Sequence, residues 1–193
     1  MFDQPSAISF QLPPWVNEFA ATYRQTTDAQ QQMAFVLAAA QRNIEKETGG
    51  PFAAAIFAAD NGELVALGVN LVTTQGLSAL HAEVVAISLA QRKFDTYDLS
   101  EAPRRLRLVS STEPCAMCLG AIPWSGVGEL ITGAREEDAR AIGFDEGAKP
   151  ENWSATLDER GIQVTTDILR RDAKKVLQHY LETSGTVYNA SKD

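Results

Sequence analysis

His81-Ala82-Glu83 and Pro114-Cys115-Ala116-Met117-Cys118 bring an imidazole, a carboxylate and two thiols into short, regular spacings. The chain has two cysteines, and one i, i+3 pair cannot build a disulfide framework. They read as metal ligands, a redox pair or a coincidence. One imidazole and two thiolates form the soft, tetrahedral donor set that zinc prefers, with one position left for catalysis. A closed structural site would need a fourth ligand. The other histidine, His179, falls with Asp172, Lys175 and Glu182 on the polar side of the last predicted helix. A redox reading of Cys-x-x-Cys leaves the His-x-Glu unexplained. Glu83 either complements a helix dipole or moves protons: zinc lowers the pKa of its water toward neutrality, and a carboxylate must carry that proton onward.

For these groups to meet, two helix starts must point at one place. On a helix flank, positions i and i+2 face opposite sides. Helical side chains lean toward the N-terminus, however, so His81 and Glu83 can converge over the mouth of a helix predicted at about 81–93. Cys115 and Cys118 share one face of a second helix, at about 115–125, and Pro114 suits its first turn. Both positive helix ends favour thiolate over thiol. A strand at 106–110 separates the two helices. Upstream, apolar runs at 52–59 and 63–72 flank Asp60-Asn61-Gly62, a β-hairpin signature. A helix over 28–48 is ended by Gly49, Gly50 and Pro51, and Trp15, Phe19 and Tyr23 mark a further helix face. Downstream the pattern predicts a strand at 129–132, a short helix at 135–141, a loop over 149–160, a strand at 162–165 and a helix capped by Asp167 running to Tyr180. Strands alternating with helices make the fold class α/β, with a mostly parallel sheet covered on both faces.

The pairing H-x-E…P-C-x-x-C is the zinc-deaminase signature. With Gly49-Gly50-Pro51-Phe52, Gly68-Val69-Asn70, His81-Ala82-Glu83-Val84, the stretch from Glu113 to Ile122, Trp124 and Gly143-Phe144-Asp145-Glu146, the chain resembles the cytidine deaminase-like superfamily and, within it, the bacterial guanine deaminases. The resemblance implies a three-layer α/β/α fold with a five-stranded mixed sheet. It also implies one zinc per chain, with a bound water or hydroxide, on His81, Cys115 and Cys118. Glu83 becomes the proton shuttle. Glu146 takes the place of a second acidic group, usually aspartate, that helps bind the substrate and remove the 2-amino group. Asn70 and the backbone of Ala82 hydrogen-bond the purine, Phe52 and Trp124 wall the base pocket, and Phe144 and Asp145 lie beside it. The implied reaction is hydrolysis of guanine to xanthine and ammonia, with other amino-substituted nitrogen heterocycles as further substrates. The implied assembly is a homodimer that exchanges C-terminal segments from Gly147 onward. The organisation is then an N-terminal extension at 1–27, a deaminase domain at 28–183 and a tail at 184–193.

Composition weighs against the competing readings. Across 193 residues, 17 basic side chains face 25 acidic ones, for a net charge of −8. A tRNA adenosine deaminase shares the metal motif but needs a basic groove and room for a flipped nucleotide. Arg104, Arg105 and Arg107 offer a local patch; Arg170, Arg171, Lys174 and Lys175 read as a solvated helix face. A non-catalytic zinc-stabilised module would have no use for Glu83. No apolar stretch approaches the roughly 20 residues of a membrane span, and the N-terminus carries Asp3 and Gln4 where a secretory signal has basic residues. A cytoplasmic enzyme with a small-molecule partner, and neither nucleic acid nor membrane, is expected. The nominal sequon Asn189-Ala190-Ser191 means nothing in such a chain.

Overall fold

The first apolar run, too short to alternate with polar residues, forms an interior strand buried on both sides. The computed structural model describes residues 2–189; residues 190–193, with most of the nominal sequon, lie outside them. Strands β1 (Ala53–Ala58), β2 (Leu64–Val69), β3 (Leu106–Thr112), β4 (Glu129–Ala134) and β5 (Gln163–Thr165) form one sheet of order β2-β1-β3-β4-β5. β1 is antiparallel to both of its neighbours, while β3, β4 and β5 are parallel. The sheet is thus mixed. The hairpin builds its antiparallel half, and only the half reached through helical crossovers fits the mostly parallel expectation.

Successive β1 side chains serve opposite layers, as the pleat requires. Ala53, Ala55 and Phe57 join a core with helices α2 (Ala29–Glu45) and α8 (Arg170–Glu182), through Met33, Val36, Ala173 and Leu177. Ala54, Ile56 and Ala58 join a second core with α4 (Ala82–Phe94), α5 (Ala116–Ser125) and α7 (Trp153–Asp158), through Ala86, Ile122, Trp153 and Leu157. Burying a side chain such as Phe57 contributes about 1.5–3 kcal/mol.

Asp28 caps α2 as its spacing predicts, its carboxylate accepting from the Gln31 N–H at 2.8 Å. The N-terminal segment packs into the same body. Helix α1 (Pro14–Ala20) buries Trp15, whose indole N–H donates to Thr48 Oγ1 at 3.0 Å, and the Tyr23 hydroxyl donates to the Gly62 carbonyl at 3.0 Å. The structure departs from the sequence pattern in three places. A one-turn helix, α3 (Val72–Gln75), follows β2. α7 occupies part of the expected loop, because Trp153 and Leu157, one turn apart, are both buried under the sheet. And α8 starts after Leu169, which holds a left-handed φ of 52°, while Asp167 is drawn aside by Arg135 at 2.8 Å.

Most side chains of the basic runs are paired with acids. Arg104 pairs with Asp60, Arg105 and Arg107 with Glu129, and Arg170 and Lys174 with Asp138. Among the described residues, no helix is long and apolar enough to cross a membrane.

Candidate metal and substrate site

Both motif helices open at the C-terminal end of β3. His81 is the N-cap residue of α4 and Cys115 that of α5, each with extended backbone, so their side chains reach over the helix mouths. Cys118 lies in the first turn of α5. Among the described residues, the ligating atoms of His81, Cys115 and Cys118 all fall within 4.8 Å of one another, and Cys115 Sγ lies 3.4 Å from His81 Nδ1. Zinc bonds of about 2.0–2.3 Å set tetrahedral ligand–ligand edges of roughly 3.5–3.8 Å. The cluster therefore fits such an ion. The donor chemistry agrees: a hydrogen bond from Cys118, outweighing burial and helped by His81, pushes the Cys115 thiol down to about 4, while Cys118 is raised by the same contact and by burial. A metal cation binds such sulfurs as thiolates and releases the thiol proton that remains.

Glu83 stands in the first turn of α4 with one carboxylate oxygen 3.4 Å from Cys118 Sγ and the other accepting from the Ser110 hydroxyl at 3.3 Å. Burial, and then the charge of Cys115, raise its pKa. The convergence of His81 and Glu83 is the helix-mouth arrangement expected of an i, i+2 pair.

A cavity of about 270 Å³ opens above the cluster, lined by Phe52, Asn70, His81, Glu83, Phe144 and Glu146 among others. Phe52 meets Phe144 edge-on, with ring centres 4.9 Å apart. Asn70 is fully buried; its side-chain oxygen accepts from the Val72 N–H at 3.2 Å, and its Nδ2 has no hydrogen-bond partner among the described residues. Gly49 is required beneath it, since a Cβ there would lie 1.8 Å from the Asn70 carbonyl oxygen. The adjacent carboxylates Asp145 and Glu146 part company. Glu146 turns inward, and burial, followed by the charges of Cys115 and Glu83, pushes its pKa up to about 8. Asp145 is exposed, accepts from the Gly147 N–H at 3.0 Å and faces Arg140 at 3.8 Å, though it too borders the cavity.

Two expected site residues are not brought to this cavity. Ala82 is buried below it, with its carbonyl close against Gly68. Trp124 is 85 % exposed on the outer face of α5; six residues past Cys118, it lies about 240° around the helix from that ligand. Other lining residues were given no site role by the sequence. Thr112 and Glu113 directly precede the Pro-Cys turn, which is a usable signal. Tyr188 and Asn189 carry no local signal beyond their place in the C-terminal segment from Gly147 onward. They arrive because the tail folds back after α8, where the Tyr180 hydroxyl donates to the Thr186 carbonyl at 2.7 Å and Asn189 bonds both the Gly143 carbonyl and the Asp145 N–H at 2.8 Å. The tail thus lines the cavity of its own chain.

The family model for the cytidine and deoxycytidylate deaminase zinc-binding region matches residues 26–134. The chain belongs to this family. The deaminase match spans both motif helices and ends at β4, before the Glu146 segment. Among relatives, a guanine deaminase of Bacillus subtilis (strain 168) is 38 % identical over 114 residues, covering 59 % of this chain and 69 % of that protein. Among solved structures, a guanine deaminase from Nitrosomonas europaea superposes with a TM-score of 0.88 at 44 % identity, covering 94 % of this chain and all of the other. The structure of NE0047 with 2,6-diaminopurine gives a TM-score of 0.89 at 46 % identity, covering 95 % and 97 %. The mixed five-stranded fold and zinc as cofactor follow for this deaminase.

Proposed function

We infer that the chain catalyses the hydrolytic deamination of guanine to xanthine and ammonia. The observation that carries this reading is a pair of buried carboxyls, Glu83 and Glu146, beside a three-ligand zinc cluster in a cavity sized for a bare base. At about 270 Å³ the cavity falls below the roughly 300–1,000 Å³ of typical ligand pockets, which suits a purine better than a nucleotide flipped from RNA. The guanine deaminase relatives and the purine-bound structure agree.

Zinc bound by His81, Cys115 and Cys118 supplies a Lewis acid that makes water a nucleophile at neutral pH. The chain's own groups do the rest. Phe52 and Phe144 hold the ring and exclude solvent, and the unpaired Asn70 Nδ2 donates to a purine acceptor. Glu83 takes the proton of the water that adds to C2 and delivers it to N3. As the C2–N bond breaks, the C2 hydroxyl gives up its proton and becomes the carbonyl of xanthine, and Glu83, with help from Glu146, carries that proton to the amino nitrogen, which leaves as ammonia. Burial raises the pKa of both carboxyls, that of Glu146 to about 8, in the direction that proton shuttling needs.

The finer biology follows the same reading: a step of purine breakdown in the cytoplasm, with Cys115 and Cys118 as free cysteines available to the metal. The exposed Met117 and Trp124 on α5 form the apolar face of a homodimer. A charged residue at Trp124 is expected to give a monomer in sedimentation velocity. The activity is tested by ammonia release across guanine, adenine, cytosine, cytidine and a tRNA anticodon loop. Silence on guanine with turnover of the RNA refutes the assignment.

A further inference from the structure

Lys149 has a side chain only 2 % exposed, a rare placement for an ammonium. Its Nζ lies 2.8 Å from Glu136 and 3.8 Å from Glu113, donates to the Pro114 carbonyl at 3.0 Å, and stands 5.2 Å above the Trp153 ring. Burying an ammonium costs several kcal/mol unless its donors are satisfied, and the proton chemistry above makes no use of it. Its position is informative. Pro114 directly precedes the ligand Cys115, and Lys149 follows Glu146 by three residues.

The segment between is pinned to the start of α5. The Glu146 carbonyl accepts from the Ala116 N–H at 2.9 Å, and Arg140 donates to the Gly147 carbonyl at 2.7 Å while holding Glu136 at 2.6 Å. Gly147, at φ 71°, approaches so closely that a Cβ there would lie 2.9 Å from the Ala116 side chain. Lys149 closes this segment onto the ligand turn at its far end. We propose that Lys149 is a positioning residue for Glu146, its ammonium tying the segment that carries this carboxyl to the Pro114 carbonyl and so setting the distance between Glu146 and the metal ligands. The proposal rests on Glu146 acting in amine departure. Misplacing a reacting group by about 1 Å costs on the order of 10²-fold in rate, and the four contacts of Lys149 suppress that movement.

A double-mutant cycle tests it. Lys149→Met, Glu146→Gln and the double variant are compared for kcat, KM for guanine, zinc content and Tm. Lys149→Met is expected to keep about one zinc per chain, to leave KM within about threefold and to lower kcat by about 10–100-fold. In the Glu146→Gln background the same change is expected to cost less than about threefold, since coupled residues are non-additive. An equal loss in both backgrounds overturns the proposal, because Lys149 then acts on the fold and not through Glu146. If Lys149→Met does not fold, Glu136→Gln weakens the same anchor from a partly exposed site and faces the same additivity criterion. Normal kcat in Glu146→Gln overturns the reading of Glu146 itself. Normal kcat in Lys149→Met beside an impaired Glu146→Gln overturns the positioning role alone.

Discussion

Changing Glu83 to Gln is the sharpest perturbation of the proposed chemistry. Glutamine keeps the volume of the side chain and an oxygen that can accept from the Ser110 hydroxyl, now at 3.3 Å. It loses only the ability to take up and return a proton. Glu83 is 6 % exposed, so no solvent base has direct access to its position. A general acid–base group contributes about 10²–10⁴-fold per transfer, and Glu83 serves both N3 protonation and amine departure. The expected loss of kcat is therefore about 10⁴-fold or more, which corresponds to about 5 kcal/mol of transition-state stabilisation. Xanthine formation followed by absorbance gives kcat, metal analysis gives zinc content and calorimetry gives guanine affinity. Zinc and guanine binding are expected to survive, and Tm should not fall, because a neutral amide replaces a carboxyl already disfavoured as an anion by burial. A variant within tenfold of normal kcat, with zinc in place, would refute the proton assignment.

Purified protein is expected to hold about one zinc per chain, and Cys118→Ser to lose both metal and turnover; full activity after exhaustive chelation contradicts the cofactor role. Asp138 is held far below the ordinary carboxylate range, chiefly by its hydrogen bonds from Arg170, so its stabilisation is complete above its unfolded pKa of 3.8 and is lost as pH falls toward the folded value. Asp138→Asn should therefore cost about 1.5–3 kcal/mol at pH 7, with the melting curves of the two proteins converging below about pH 4; a constant gap from pH 7 to 3 rules this out. Gly49→Ala drives a methyl into the Asn70 carbonyl and is expected to cost about 1–3 kcal/mol, lowering Tm by about 2–4 °C per kcal/mol. A normal Tm together with a normal KM for guanine would show that Asn70 does not depend on this contact.

Local chemistry explains what was legible beforehand. The Pro114–Cys118 spacing, the convergence of His81 and Glu83 at a helix mouth and the Asp28 cap all depend on residues within one turn of each other, where backbone geometry leaves few options. Sites that depend on distant partners were legible only in part. Trp153 and Leu157 form a helix because the sheet offers them cover, and the polar stretch around them gives no period of its own. Asp167 has the chemistry of a cap, but Arg135, 32 residues away in sequence, holds it elsewhere.

By itself, then, the sequence determined the donor set, the helices that present it and the alternation that makes an α/β sheet, because covalent spacing and hydrophobic period act over a few residues. Tertiary structure alone decided how deeply Glu146 is buried while its neighbour Asp145 stays exposed, that Trp124 faces out from α5, and that Tyr188 lines the cavity. Those outcomes rest on which surfaces meet across the sheet and on which charges can be satisfied once buried, and no short stretch of chain carries that information.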